Sequence, residues 1–344
     1  MSPLLREAAE QWLSEQVVRS LASIRPTWFG GDSPPLFPSP RGYLSADHRQ
    51  RLSGVRAALQ HVLGRLAERE RIGTELLSPE TPFVLNALAE GRRDPRLPSF
   101  PGMIRPLDTR WTVRDHPYHH PPASWCRDLL AAMFEGFEQY DEHPVVGGCW
   151  LMFFFLAIHP FVDGNGRTSR LLYLLVTSPG LDSSVDLGIA EQWVFHRHRY
   201  HEALYRGQHQ APGFDVDRLD PQPFTDATLG WSTSGARLTR ERLTAMARVW
   251  EACRGLEDGA RAAVLLTGLE GMVSPQHLPP ALGEYPERLG VLLDLAEAGV
   301  IKRVVASPSQ RTPGEPPRPR FSLTDETAQR LGRAVSSVRT SDQA

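Results

Sequence analysis

Residues 159–170 read HPFVDGNGRTSR, a dense run of side chains able to do chemistry. His159 is the only imidazole in the run, and its basicity suits taking a proton from a hydroxyl near neutral pH. Asp163 supplies a carboxylate oxygen of the kind Mg²⁺ takes beside water and phosphate. Gly164 and Gly166 open backbone conformations closed to other residues, so amide N–H groups around Asn165 can converge on an anion. Arg167 and Arg170 stand three apart on a helix predicted to begin near Arg167, and therefore share a face of its first turn. Positive charge there opposes the helix dipole. The pair makes sense if a strongly negative group, such as a polyphosphate, sits between them. Together the parts describe phosphate-ester transfer by positioning and charge neutralisation. Singly, each has an ordinary explanation as a turn, a helix end or a solvated face. Their coincidence within one short segment carries the reading.

Such a loop needs a rigid support. CWLMFFFLAI, residues 149–158, is about half as long as a membrane span and predicts a buried core helix. Pro160 lets the chain leave the helical path, and RTSRLLYLLVTS resumes it. Upstream, apolar spacing predicts a helix over 5–22 (Ala8, Trp12, Val17, Leu21). A second, over 46–73 with Ser45 as cap, carries the stripe Leu52, Val55, Leu59, Val62, Leu63 and Leu66. A third spans 78–91, with Ser78 as cap, Pro79 in first position and Gly91 at its end. Residues 25–43 read as loop and 92–106 as irregular. RWTVRDHPYHHPP, 110–122, alternates like a strand and then turns to proline, the pattern of a short hairpin or flap. PASWCRDLLAAMFEGFEQY predicts a helix and GIAEQWVFHRHRYHEALYRG another. Residues 211–234 look like a connection before the helix RLTRERLTAMARVWEACRGL. From Ala260 come three short helical units, then KRVV, a proline-rich tip and FSLT, the pattern of a winged helix.

HPFVDGNGRTSR matches the signature HPFx[D/E]GNGRxxR of the Fic (Fic/Doc, Fido-fold) family at every specified position. PGMIR (101–105) resembles the family's PGxxR lead-in to the flap, and YHHPP (118–122) the flap's end. The helix before the loop and RYHEALYRG (199–207) are similar too, so the resemblance covers roughly 100–210. It implies a mainly α fold, a Fic-type helical core with a short β-hairpin flap, accompanied here by a C-terminal winged-helix domain. It also implies a protein adenylyltransferase that moves AMP from ATP to a target hydroxyl, with Mg²⁺ as cofactor. On that resemblance His159 is the general base and Asp163 holds the metal. Gly164, Asn165 and Gly166 form the phosphate cradle, and Arg167 and Arg170 grip the distal phosphates. Phe161 anchors the loop in the core. The hairpin at about 110–120 lays a target segment beside the site by strand pairing. The same site could move another nucleotide moiety or run in the removal direction. A nucleotide-sensing, DNA-binding regulator is the alternative from another class.

Many members of that family block the γ-phosphate site with a helix bearing [S/T]xxx[E/D][G/N]. No acid followed by Gly or Asn here has Ser or Thr four residues earlier. The nearest miss is NALAEG, with Asn86 before Glu90, and this segment more closely resembles the ordinary helix ahead of PGxxR. His116, His119 and His120 fall on the flap, and His196, His198 and His201 on a helix. Neither group sits in a metal-binding context, so solvated or target-contacting roles are expected. Cys126, Cys149 and Cys253 have no CxxC spacing and read as buried thiols in a reducing compartment. A net charge of -2 argues against a protein dominated by nucleic-acid electrostatics. In the C-terminal module only Arg288, Arg311, Arg318 and Arg320 favour DNA, so a protein-docking role is preferred there. With no signal-peptide pattern and no membrane span, a cytoplasmic location is expected. The expected domains are an N-terminal helical extension (1–99), the core (100–210), a linker with a connecting helix (211–259) and the winged-helix-like domain (260–335). Target, base preference and any homodimer stay open.

Overall fold

The structure, a computed structural model, describes residues 2–22, 46–72, 77–91, 100–108, 110–113, 116–137, 140, 143–178, 188–208, 214–304 and 319–341. It is mainly helical, with two small antiparallel hairpins among the described residues. The chain divides into two compact units. One takes residues 16–26 and 45–236, the other 1–15, 27–44 and 237–344. The predicted loop 25–43, the cap Ser45, most of the irregular 92–106 and the wing residues Arg311 and Arg318 lie outside the described residues.

The first unit is built around α5 (Pro144–Ile158) and α6 (Asn165–Thr177), the two helices that flank the loop at 159–164. Helix α5 is apolar on almost every face, and ten of its fifteen residues are buried. Such a helix is stable only when surrounded. Around this pair pack α2 (Ala46–Ile72), α3 (Thr81–Glu90) and α4 (Cys126–Phe137). Helices α2 and α3 cross closely: a Cβ at Gly54 would come within 2.5 Å of the Ala89 carbonyl, so only glycine fits at this crossing. The expected flap is present, with β1 (Arg110–Val113) antiparallel to β2 (His116–His119) and Trp111 opposite Tyr118.

Several local expectations are revised. Helix α3 begins at Thr81, not Ser78. Ser78 instead places its backbone N–H 2.9 Å from the Thr81 hydroxyl, and Pro82 takes the early position assigned to Pro79. Helix α6 begins at Asn165, so Gly166 is helical and Gly164 alone supplies the left-handed turn, with φ 82°. The helix expected over 188–207 is two, α7 (Ile189–Phe195) and α8 (Arg197–Gln208), broken at His196. Part of the connection expected over 211–234 is helical, because α9 runs unbroken from Gln222 to Ala252. Pro223 lies in its first turn, where proline's missing N–H costs no hydrogen bond.

The second unit contains α10 (Asp258–Glu270), α11 (Tyr285–Glu297), the hairpin β3 (Ile301–Val304) with β4 (Arg320–Leu323), and α12 (Asp325–Ser341). Two single turns of 3₁₀ helix lie between α10 and α11. Val273 bridges to Phe321 beside the hairpin, and both side chains are buried. The start of α1 (Pro3–Ala22) belongs to this unit: Gln11 donates to the His277 carbonyl (3.0 Å), and the Glu7 carboxylate accepts from the Ala281 N–H (3.3 Å). Helix α12 had no counterpart in the sequence expectations. No helix among the described residues is long and apolar enough to cross a membrane.

Candidate active site

The chain leaves α5 through His159, whose φ of 50° makes it the one non-glycine residue in the left-handed region among those described. Holding a side-chain-bearing residue there costs roughly 1–3 kcal/mol unless its surroundings enforce it. Arg105 is that enforcement. Its guanidinium is buried and donates from Nε to the His159 carbonyl (2.9 Å), from Nη1 to the Leu107 carbonyl (3.0 Å) and from Nη2 to the Pro121 carbonyl. Its backbone N–H reaches the Pro160 carbonyl at 2.8 Å. One side chain thus ties the loop to the segment before the flap and to the flap's end. Arg105→Met would strip donors from these carbonyls at an expected cost of about 3 kcal/mol. Urea unfolding checks this, and a loss below about 1 kcal/mol would contradict the assignment.

Two further clasps shape the loop. Phe161 is buried against Phe83 and Phe155, with ring centroids 5.6 and 6.0 Å away. The Asn165 carboxamide closes on Phe161 in both directions, accepting from its N–H (3.0 Å) and donating to its carbonyl (2.7 Å). The Asn165 side chain is therefore engaged in loop closure, and what this position leaves for a ligand is the backbone N–H of the first helical turn.

His159, Asp163, Gly164, Asn165, Gly166, Arg167 and Arg170 all border one cavity of about 400 Å³, within the usual range for a small-molecule site. Its other walls include Tyr118, His120, Trp193, Tyr200 and His201. Burial pushes the His159 imidazole well below its ordinary value, and the neighbouring His120 adds to this. One ring N–H of His159 bonds to the Leu156 carbonyl. A carbonyl only accepts, so in the neutral ring the other nitrogen carries no proton. Arg170 is fully enclosed. Its Nη2 donates to the Leu21 carbonyl (3.2 Å), while its Nε has no partner among the described residues. Burial lowers it to about 10, still cationic at neutral pH. Tyr200, beside it, is pushed up to about 12 by burial.

Arg167 is not free to meet a ligand. Its Nη2 lies 2.9 Å from the Glu90 carboxylate and 3.3 Å from that of Asp163. Burial raises Glu90 to about 7 against the opposing pull of Arg167. Its Oε1 is buried and has no hydrogen-bond partner among the described residues. A Cβ built on Gly164 would collide with that oxygen and stand 2.6 Å from the Asn86 amide nitrogen. Glu90 therefore fills the space directly over the left-handed glycine. Asn86, one helical turn earlier, donates to the Asp163 carbonyl (3.0 Å) and the Thr168 hydroxyl (3.2 Å) and accepts from the Gly102 N–H (2.8 Å).

A magnesium–nucleotide suits these groups. The Asp163 side chain is about half exposed, with one oxygen accepting from the Gly164 N–H at 2.7 Å. No cluster of three or more His, Cys, Asp or Glu residues able to hold a metal occurs among the described residues. A single, half-exposed carboxylate is a group that Mg²⁺ can take beside water and phosphate oxygens. Of the remaining histidines, His196 stacks on Trp231 (5.6 Å), His198 is exposed and His201 borders the cavity. Arg105, His120 and Asn86 lay inside quoted motifs, but nothing local in the sequence marked their roles.

A left-handed residue at a buried helix end, a glycine turn, and a second helix opening beside two arginines define a helix–loop–helix on a mainly helical support. Residues 94–177 match the family described as Fic/DOC family, and the chain accordingly carries a Fic/DOC family domain. A 91-residue stretch is 36% identical to "Protein adenylyltransferase Fic" of Culex quinquefasciatus, covering 25% of this chain and 17% of that protein. A 51-residue stretch is 37% identical to a Fido domain-containing protein of Dictyostelium discoideum, covering 14% of this chain and 36% of the relative. The chain thus spans well under half of these curated relatives. Among solved structures it resembles a Fic family protein from Desulfovibrio desulfuricans G20 at 19% identity, with a TM-score of 0.50 over 94% of this chain and 89% of that one. It also resembles a Fic domain containing signaling protein from Bacteroides thetaiotaomicron VPI-5482 at 16% identity, with a TM-score of 0.51 over 72% of this chain and 92% of that one. These likenesses establish the fold.

Proposed function

We propose that the protein is a nucleotidyltransferase that moves AMP from ATP to a hydroxyl side chain of a target protein. The observation that carries this is one cavity that holds both a neutral imidazole and a cationic helix start. His159 takes the proton as the target oxygen attacks the α-phosphorus. The new P–O bond replaces the bond to pyrophosphate, which departs with the displaced electron pair. The amides at the start of α6 hold the charged oxygens, and Arg167 and Arg170 neutralise the distal phosphates. Asp163 would hold Mg²⁺, which supplies further neutralisation of phosphate charge. The flap β1–β2 offers a strand edge on which a target segment can pair. The order of helices and hairpin in the second unit suits a winged-helix-like docking module. Incubation of the protein and a cell lysate with each labelled nucleoside triphosphate and Mg²⁺ tests the proposal. ATP should label a protein band; labelling by none of them would reject it, and labelling by another nucleotide alone would change the donor.

Glu90 supports a held-off resting state, because its carboxylate covers the cradle glycine and occupies Arg167. It also favours a second reading, removal of the nucleotide from a modified protein. A carboxyl near 7 with an unpartnered oxygen is suited to taking a proton from water. Glu90→Gly should then lose removal while gaining transfer. Removal activity retained on Glu90 substitution would eliminate this reading.

A further inference from the structure

His159 does not sit alone. The His120 ring lies over it, with centroids 4.2 Å apart and planes 21° apart. The Tyr118 ring is in turn near-parallel to His120, with centroids 6.5 Å and planes 11° apart, and its hydroxyl donates to the His201 carbonyl (2.9 Å) in α8. Two successive ring contacts therefore link strand β2 of the flap to the end of α5. The two imidazoles use the same device. His120 places Nδ1 3.2 Å from the Ala157 carbonyl, and His159 bonds to the carbonyl of Leu156. Each carbonyl needs an N–H, so each ring keeps its proton on the nitrogen facing α5. The remaining nitrogen of His120, Nε2, is buried without a partner among the described residues.

We propose that His120 is a positioning residue for His159: its ring, held between Tyr118 and the Ala157 carbonyl, fixes the plane of the base and links that plane to the flap. This rests on the transfer reading above, in which His159 takes the proton. Without the second ring, His159 could rotate about its last side-chain bond, since that torsion is broad. With it, one face is covered by another ring and the lone pair keeps one direction. A target segment paired on the flap would then press on the same stack that aims the base. The stack also bears on protonation. The groups facing the two rings are Arg105, His119 and each other, all of which disfavour a second positive charge, in addition to burial. Burial holds His120 at about 4, so the ring over His159 is neutral when the base receives its proton.

The test uses the full chain, with His120→Ala and His120→Phe beside wild type. His120→Ala should lower kcat about 10-fold or more through loss of alignment, while nucleotide Kd stays within about twofold. His120→Phe, which keeps a stacking ring, should recover most of the loss. In ¹⁵N-histidine spectra the His159 resonance should titrate well below 6.5 in wild type and at higher pH in His120→Ala, where water reaches the exposed face. An unmoved titration with wild-type kcat in His120→Ala would overturn the proposal. So would a Phe variant no better than the Ala variant. If wild type transfers nothing, the transfer reading fails, yet the titration still decides whether His120 controls the His159 ring.

Discussion

His159→Ala is expected to reduce transfer by about 10³-fold, within the range lost when a positioned general base is removed, and to leave nucleotide affinity within a few-fold. The asymmetry follows from the division of labour in the loop. In the proposed reaction the phosphates meet the start of α6, Arg167 and Arg170, and the loop before them is held by Phe161, Asn165 and Asn86. The backbone at 159 is held by Arg105 through the carbonyl, which alanine retains. A residue at φ 50° is no worse as alanine than as histidine beyond a few tenths of a kcal/mol. Isothermal titration with ATP and Mg²⁺, run beside the labelling assay, checks both halves. Loss of binding parallel to loss of transfer would show that the ring holds the nucleotide and is not the base.

Glu90→Gly is expected to raise transfer about 10- to 100-fold, the gain from removing a coupling of roughly 1.4–3 kcal/mol between the carboxylate and the cradle. The carboxylate must leave Gly164 and Arg167 before a polyphosphate can take its place, because both need the same guanidinium and the same volume. Glycine removes the charge and the bulk together. It also weakens the last turn of α3 by about 1 kcal/mol, so Glu90→Ala serves as a control that keeps helix propensity. Auto-modification and nucleotide affinity, measured together, check the claim. Unchanged affinity in both variants would mean that Glu90 does not compete for the cradle.

The loop and its supports were legible because their signals are local. The apolar run of α5, the proline at 160, the glycine at 164 and the paired arginines are read from neighbours in the chain, and the flap and the β3–β4 hairpin likewise. What escaped depends on partners far apart. Asn86 reaches Asp163 across 77 residues, and Arg105 reaches His159 across 54. Neither bond leaves a trace in composition or periodicity. NALAEG misses the strict pattern by lacking a hydroxyl four residues before the acid, yet Asn86 occupies that position with a carboxamide that can donate and accept at once. The start of α9 was missed because its prolines resemble a breaker, although in a first turn they are compatible with a helix.

The most direct test of the central claim is the intact mass of the full chain after incubation with ATP and Mg²⁺, comparing wild type, Glu90→Gly, and Glu90→Gly combined with His159→Ala. A gain of one adenylyl group is expected in Glu90→Gly, less in wild type and none in the double variant. An equal adduct in the double variant, or ATP breakdown in Glu90→Gly without any adduct on the protein or an added lysate target, would contradict it.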